Sequence, residues 1–262
     1  MSDALLVQHQ GAVATLSMNR PDLHNAFDAA LIGALTETLA SLGADPAVRA
    51  VVLAGTGPSF SAGADLQWMR AMASASQEEN RIDSLALARL MRTLDELPKP
   101  TIARVHGASF GGGVGLVACC DIAIAAEEAR FGLTESKLGL LPAVISPYVV
   151  AAIGPRQARR WFATGEHFDA ATAQQIGLVH QVVAADALDA AVQAQLKLLG
   201  KAGPVASASA KVLVREVHAA VGDRDGLDRA NAGLIAALRA SDEGREGLSA
   251  FLEKRAPRWA AH

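Results

Sequence analysis

Val13, Thr15 and Ser17 alternate with Ala12, Ala14 and Leu16, a two-residue period that marks a strand with one buried face. Residues 4–18 therefore predict two short strands folded about Gln10-Gly11. The period then changes. Leu31, Leu35, Leu39 and Leu42 recur at helical spacing, and Asp28 stands where a cap belongs, which predicts a helix over 29–42. AVVLAG (50–55), TIARV (101–105) and DIAIAA (121–126) are apolar without strict alternation, as in strands buried on both faces. Between them the pattern predicts a short helix from beside Asp65 through Met69 and a long amphipathic helix over 77–97, ended by Leu97-Pro98-Lys99-Pro100. A turn and a helix to about Cys120 come next. Strand, loop and helix in rotation signal an α/β fold with parallel strands.

Beyond about residue 143 helical periods dominate, over 145–152, 155–164, 169–176, 185–199, 204–220, 225–240 and 242–254, with one short strand near 179–183. Gly203-Pro204 suggests a boundary, so residues 1–200 are expected to form a core and 201–262 a helical region that packs on it or on a partner. The uncharged run over 138–155 reaches the length of a short membrane span, but Pro142 and Pro147 interrupt it. It predicts a buried turn leading into a core helix.

Composition narrows the function classes. The chain of 262 residues is 51% hydrophobic and 19% charged, which is globular rather than disordered. A net charge of −3 leaves no basic footprint for nucleic acid and no polybasic membrane patch. Cys119 and Cys120 are adjacent and poorly placed to pair with each other, so they read as two small core residues in a reducing compartment. Met1-Ser2-Asp3 has no basic n-region, so no signal peptide is expected and the cytoplasm is the expected location. The seven histidines show no metal-ligand spacing.

Two glycine-rich turns, FSAGAD (60–65) and FGGGVG (110–115), each follow a buried strand and open a helix. A helix start leaves N–H donors unpaired, and glycine lets a ligand approach them closely. Two such turns from neighbouring parallel strands suit an oxyanion or the developing O⁻ of a thioester enolate. Tight helix-on-strand packing also favours glycine there. Neither turn matches a dinucleotide or phosphate loop. Gly107-Ala108-Ser109-Phe110-Gly111 does match the G-x-S-x-G nucleophile elbow, with Asp169 and His180 or His218 as the partners a serine hydrolase would need. An upstream HGGG-type loop is missing. Glu135 lies among Leu133, Leu138, Leu140 and Leu141, surroundings that raise a carboxyl pKa and poise a general acid or base. The alternative is a surface glutamate.

NRPDLHNAF, VVLAGTGPSFSAGADL, LPKPTIARVHGASFGGGVGL, ACCDIAIAAEEARFGLTESKLGLLP and FLEKRAPRW run in order along nearly the whole chain and together resemble the crotonase (enoyl-CoA hydratase/isomerase) superfamily. The resemblance implies a crotonase-type spiral of ββα units with a C-terminal helical trimerisation region, assembled as a homotrimer or a dimer of trimers. It implies an acyl-CoA thioester as substrate, with coenzyme A present only as part of it, and no metal or other cofactor. By position, the two N–H groups that stabilise the enolate are those of Ala64 and Gly112. The same resemblance brings the backbone at Ala62, Asp65 and Leu66 near the adenine and pantetheine, and Phe251 and Lys254 toward the CoA of the same or a neighbouring subunit. Many members carry a basic residue after Pro-Asp; here Leu23 stands there, followed by His24.

Standard hydratases of this family use two glutamates. The second matches Glu135, whereas the first falls on Gly115. One glutamate suits a Δ3,Δ2-enoyl-CoA isomerase, a hydratase whose second group comes from elsewhere, or an acyl-CoA binder without catalysis. FSAGADLQWM, FGGGVGLVACCDIAIAA and LGLLPAVISPYVVAAIG resemble the bacterial 3-methylglutaconyl-CoA hydratases of leucine degradation, and a related branch that takes isohexenylglutaconyl-CoA. Members of that branch likewise have glycine at the first acid. Gly115 is then expected to leave space for the substrate's distal carboxylate or a water.

Overall fold

The computed structural model describes residues 4–220 and 222–261; Met1-Ser2-Asp3, Val221 and His262 lie outside them. β1 (Leu5–Gln10) and β2 (Val13–Met18) form an antiparallel hairpin. Ala14, Leu16 and Met18 face the core while Val13, Thr15 and Ser17 are half-buried, as the alternation predicts. β3 (Ala50–Gly55), β4 (Thr101–Val105), β6 (Ile122–Ala126) and β9 (Gln181–Val183) follow in parallel, giving one sheet ordered β1-β2-β3-β4-β6-β9. A second sheet, β5-β7-β8, comprises β5 (Ala108–Phe110), β7 (Arg130–Gly132) and β8 (His167–Asp169). The sequence reading treats 108–111 as a turn. Three residues are too few for a period to show, and β5 exists because β7 supplies its partner.

The helices seal these sheets. α1 (Ala29–Ala44) starts at Asp28, whose carboxylate accepts the Leu31 N–H at 2.8 Å, and buries Leu31, Ile32, Leu35, Leu39 and Leu42. α2 (Leu66–Ser74) extends beyond the expected Met69. α3 (Gln77–Asp95) opens on a reciprocal Ser76/Glu79 capping box and buries Leu90, Met91 and Leu94. α4 (Gly112–Cys119) runs through the core, with Cys119 and Cys120 both free and buried.

α5 (Ser146–Thr164) joins two expected helices across Gly154, whose φ of 75° breaks the helical path before Pro155. The turn ahead of α5 is less buried than its hydrophobicity predicts: Leu138, Leu140 and Leu141 are exposed, and burial resumes at Ile145, Val149 and Ile153. α6 (Ala170–Gln175) and α7 (Leu188–Lys201) complete the first part, and no helix is long and apolar enough to cross a membrane among the described residues.

Behind Gly203 come α8 (Pro204–Ala219), α9 (Arg224–Ala240) and α10 (Asp242–Leu252). α8 is tied to the core by Lys211, which pairs with Asp121 at 2.8 Å. Arg49 holds the tail by donating to Ala202 O and Trp259 O, each at 2.7 Å. α8 and α9 bury no residue fully, and Val214, Ile235, Phe251 and Leu252 stand exposed.

Candidate active site

The two glycine turns are stitched to each other. Ser61 N–H donates to Ala108 O at 3.0 Å and Phe110 N–H to Ser61 O at 2.9 Å, so the first turn runs parallel beside β5. Gly63, at φ +85°, lies so close that a Cβ there would sit 2.8 Å from Phe110 O. No other residue fits without moving backbone.

A buried hub sets the first turn. Asn25 is fully buried in the left-handed region and donates to Thr56 O and Ser59 O at 2.9 and 2.8 Å. Its carbonyl accepts the Ser61 hydroxyl at 2.9 Å, and that hydroxyl accepts the Gly63 N–H at 3.3 Å. Phe27 N–H donates to Gly63 O at 2.6 Å, and Phe27 O accepts the Asp65 N–H at 2.8 Å. This bridge uses the groups on either side of Ala64 and leaves the Ala64 N–H without a protein acceptor among the described residues. The Gly112 N–H is the first of α4 and likewise has none. Two unpaired main-chain donors on two turns in contact are the elements of an oxyanion site.

Glu135 joins them through the second sheet. Gly111 N–H donates to Gly132 O at 2.9 Å, and the chain re-enters three residues later in a 3-10 turn, Thr134–Leu138. There Glu135 Oε1 lies 3.1 Å from where a Cβ on Gly111 would be, while Oε2 is buried with no protein partner. Burial pushes the Glu135 carboxyl up from its ordinary value. Leu138, Leu140 and Leu141 are themselves exposed, while Gly111 lies beside the carboxyl.

Other sequence-nominated residues fall into place unevenly. His24 O accepts the Ala62 N–H at 2.8 Å, and the exposed imidazole lies 2.9 Å from Ser59 Oγ. Asp65 spends its side chain on structure: Oδ1 caps α2 through Gln67 and Trp68, and Oδ2 pairs with Arg20 at 3.3 Å. Leu66 is 71% exposed beside it, open to a ligand. Phe251 lies in the last turn of α10 at 81% exposure, and Lys254, in a left-handed conformation, donates its N–H to Phe251 O at 3.2 Å.

Two expectations need correction. Ser109 is fully buried on β5, its hydroxyl without a hydrogen-bond partner among the described residues; His180 accepts the Ala123 N–H and Asp169 caps α6. The G-x-S-x-G pattern here forms a sheet strand, not a nucleophile elbow. Gly115 does not open onto free space either. A Cβ there would lie 2.9 Å from Ile145 Cβ and 3.2 Å from Met91 Cε, with Ile145 Cγ2 nearer still. A ligand group reaches that place only if Ile145 moves. Ile145 escaped notice because a lone isoleucine thirty residues from Gly115 carries no pattern linking the two.

Comparison with known proteins agrees with this fold. The family model described as enoyl-CoA hydratase/isomerase matches residues 8–262. The 2,3-dehydroadipyl-CoA hydratase of Escherichia coli is 34% identical over 256 residues, 97% of each chain. An enoyl-CoA hydratase crystal structure from Shewanella pealeana is 45% identical with a TM-score of 0.94, covering 98% of this chain and 96% of its own. AtuE of Pseudomonas aeruginosa superposes with a TM-score of 0.94 at 39% identity, over 98% and 99% of the two chains. With the family model spanning nearly the whole chain and the crotonase fold shared with these structures, this chain belongs to the enoyl-CoA hydratase/isomerase family.

Proposed function

We propose that this enzyme adds water across the α,β double bond of an enoyl-CoA, with 3-methylglutaconyl-CoA or the longer isohexenylglutaconyl-CoA as substrate. The observation that carries the reading is the Glu135 carboxylate set against Gly111, one residue before the unpaired Gly112 N–H. The thioester oxygen sits between the Ala64 and Gly112 N–H groups. As water attacks C3, charge develops on that oxygen, and losing one such donor typically costs about 3–4 kcal/mol of transition-state stabilisation. Glu135 takes a proton from the water and delivers it to C2, near-neutral chemistry that a raised carboxyl pKa favours.

The substrate class is supported by the motifs of the glutaconyl branch and by a relative named for 2,3-dehydroadipyl-CoA, a thioester that also bears a distal carboxylate. The backbone at Ala62, Asp65 and Leu66 is proposed to meet the CoA, with Phe251 and Lys254 of the tail reaching the same or a neighbouring copy. Exposed apolar residues on α8 to α10 support assembly as a homotrimer or a dimer of trimers, which sedimentation tests. The free thiols of Cys119 and Cys120 suit the reducing cytoplasm.

A single carboxylate also suits a Δ3,Δ2-enoyl-CoA isomerase, the runner-up, in which Glu135 moves one proton between C2 and C4. Mass spectrometry of 3-methylglutaconyl-CoA incubated in D₂O separates the readings. Gain of one D₂O is the expected result. Deuterium exchange without addition supports the isomerase, and unchanged substrate removes this acyl group from consideration.

A further inference from the structure

We propose that Ile145 sets the number of acids in this site: its side chain fills the volume a second carboxylate would need, and holds the reaction to Glu135 alone. The proposal rests on the hydratase reading above. Position 115 lies one turn beyond Gly111 on α4, and the Gly115 N–H donates to Gly111 O at 3.2 Å. Gly111, the N-cap of α4, lies against Glu135, so position 115 stands one helical turn, about 5.4 Å, beyond that contact.

Ile145 blocks a side chain at that position. It is 3% exposed and directly precedes α5, where its carbonyl accepts the Val149 N–H at 3.1 Å. Its Cβ is itself within 2.9 Å of the would-be Cβ on Gly115, and a β-branched side chain anchored at a helix start has little rotamer freedom with which to withdraw. Met91 Cε closes the same space at 3.2 Å. Gly115 and Ile145 are therefore two halves of one steric arrangement.

The chemical consequence is a single carboxyl cycling through both proton transfers. The water oxygen bonds to C3 while one of its protons moves to the Glu135 carboxylate. The π electrons pass to the thioester oxygen, and the enolate then takes that proton back at C2. The second water hydrogen stays on the new hydroxyl, so H and OH arrive on one face. Such a site needs only the ionised form of one acid, and its rate rises through one pKa to a plateau. Two acids in opposite protonation states would give a bell.

The test compares Gly115→Glu, Ile145→Ala and the double variant, with thermal melts and kcat/KM against pH on an enoyl-CoA that the unaltered enzyme hydrates. Gly115→Glu alone is expected to fold poorly or lose activity. The double variant is expected to fold, to gain an alkaline limb, and to retain activity when Glu135→Gln is added, at least tenfold above Glu135→Gln in the unaltered chain. The proposal is overturned if Gly115→Glu alone folds and shows the second limb, or if a folded double variant keeps the plateau. Should the double variant fail to fold, formate decides. It should restore turnover to Ile145→Ala/Glu135→Gln and not to Glu135→Gln, and equal responses overturn the proposal. An unaltered enzyme that hydrates no enoyl-CoA overturns the hydratase reading instead.

Discussion

The Phe27 ring lies against Gly112, its Cε2 2.5 Å from where a Cβ on that glycine would sit. The same residue brackets Ala64 through its main chain. One buried phenylalanine thus underlies both candidate donors, which belong to turns nearly fifty residues apart. Gly112→Ala keeps the N–H but is expected to push the ring and α4 apart, and so to displace the oxyanion donor and lower kcat by roughly 10²-fold. Steady-state kinetics check this: a change in KM alone would argue that Gly112 shapes binding rather than the transition state.

Glu135→Gln should cut turnover by roughly 10²-fold or more, as expected for a general acid/base. It should also make the protein more stable at neutral pH. Burial raises the Glu135 pKa above its unfolded value, so the folded state holds its proton longer. Stability therefore falls as pH rises from the unfolded pKa through the folded one, and the full penalty stands above both. Gln removes that penalty. Melting curves should show the variant ahead at pH 7 and the two proteins converging below the unfolded pKa. A variant that melts lower at pH 7 would mean that contacts to the carboxylate outweigh its burial.

Asn25 reaches the active site only through others, by way of Ser61 and Gly63. Asn25→Ala strands the Thr56 and Ser59 carbonyls and places alanine at φ 54°, costing about 3 kcal/mol or more. Ser61→Ala should be milder in stability, about 1–2 kcal/mol, yet lower kcat more than it raises KM because it frees Gly63 beside the donor. Chemical denaturation and kinetics on both variants separate the two effects. Equal changes in kcat and stability for the pair would argue that the hub only supports the fold.

Ser109→Ala should leave kcat/KM unchanged and stability equal or higher by about 1 kcal/mol, since the variant removes a buried hydroxyl that has no partner. Loss of activity with an intact melting curve would restore a nucleophilic role to that hydroxyl.

Much of this was legible in the chain. The two-residue period of β2, the leucines of α1 and the unbroken apolar run of β3 correspond closely to observed elements, because each depends on contacts with one uniform apolar side. Asp28 is visible as a cap because capping is local, and Asp65, read only as lying beside a helix start, caps α2 in the same way. The Ser76/Glu79 capping box also had a readable signal, a serine followed three residues later by a glutamate. β5 had none, since a three-residue strand exists only through its partner.

By itself, then, the sequence determined the longer strands and helices and the two glycine turns, features carried by neighbours along the chain, while the single matching glutamate came from the resemblance of its motif to the family. Only the tertiary structure decided that Phe27 serves both turns, that Ser109 is sealed away, that the leucines after Glu135 face outward, and that Ile145 occupies the place beside Gly115. Each of these is a contact between segments distant in sequence. Close packing makes such contacts specific, and no periodicity records which segments will meet.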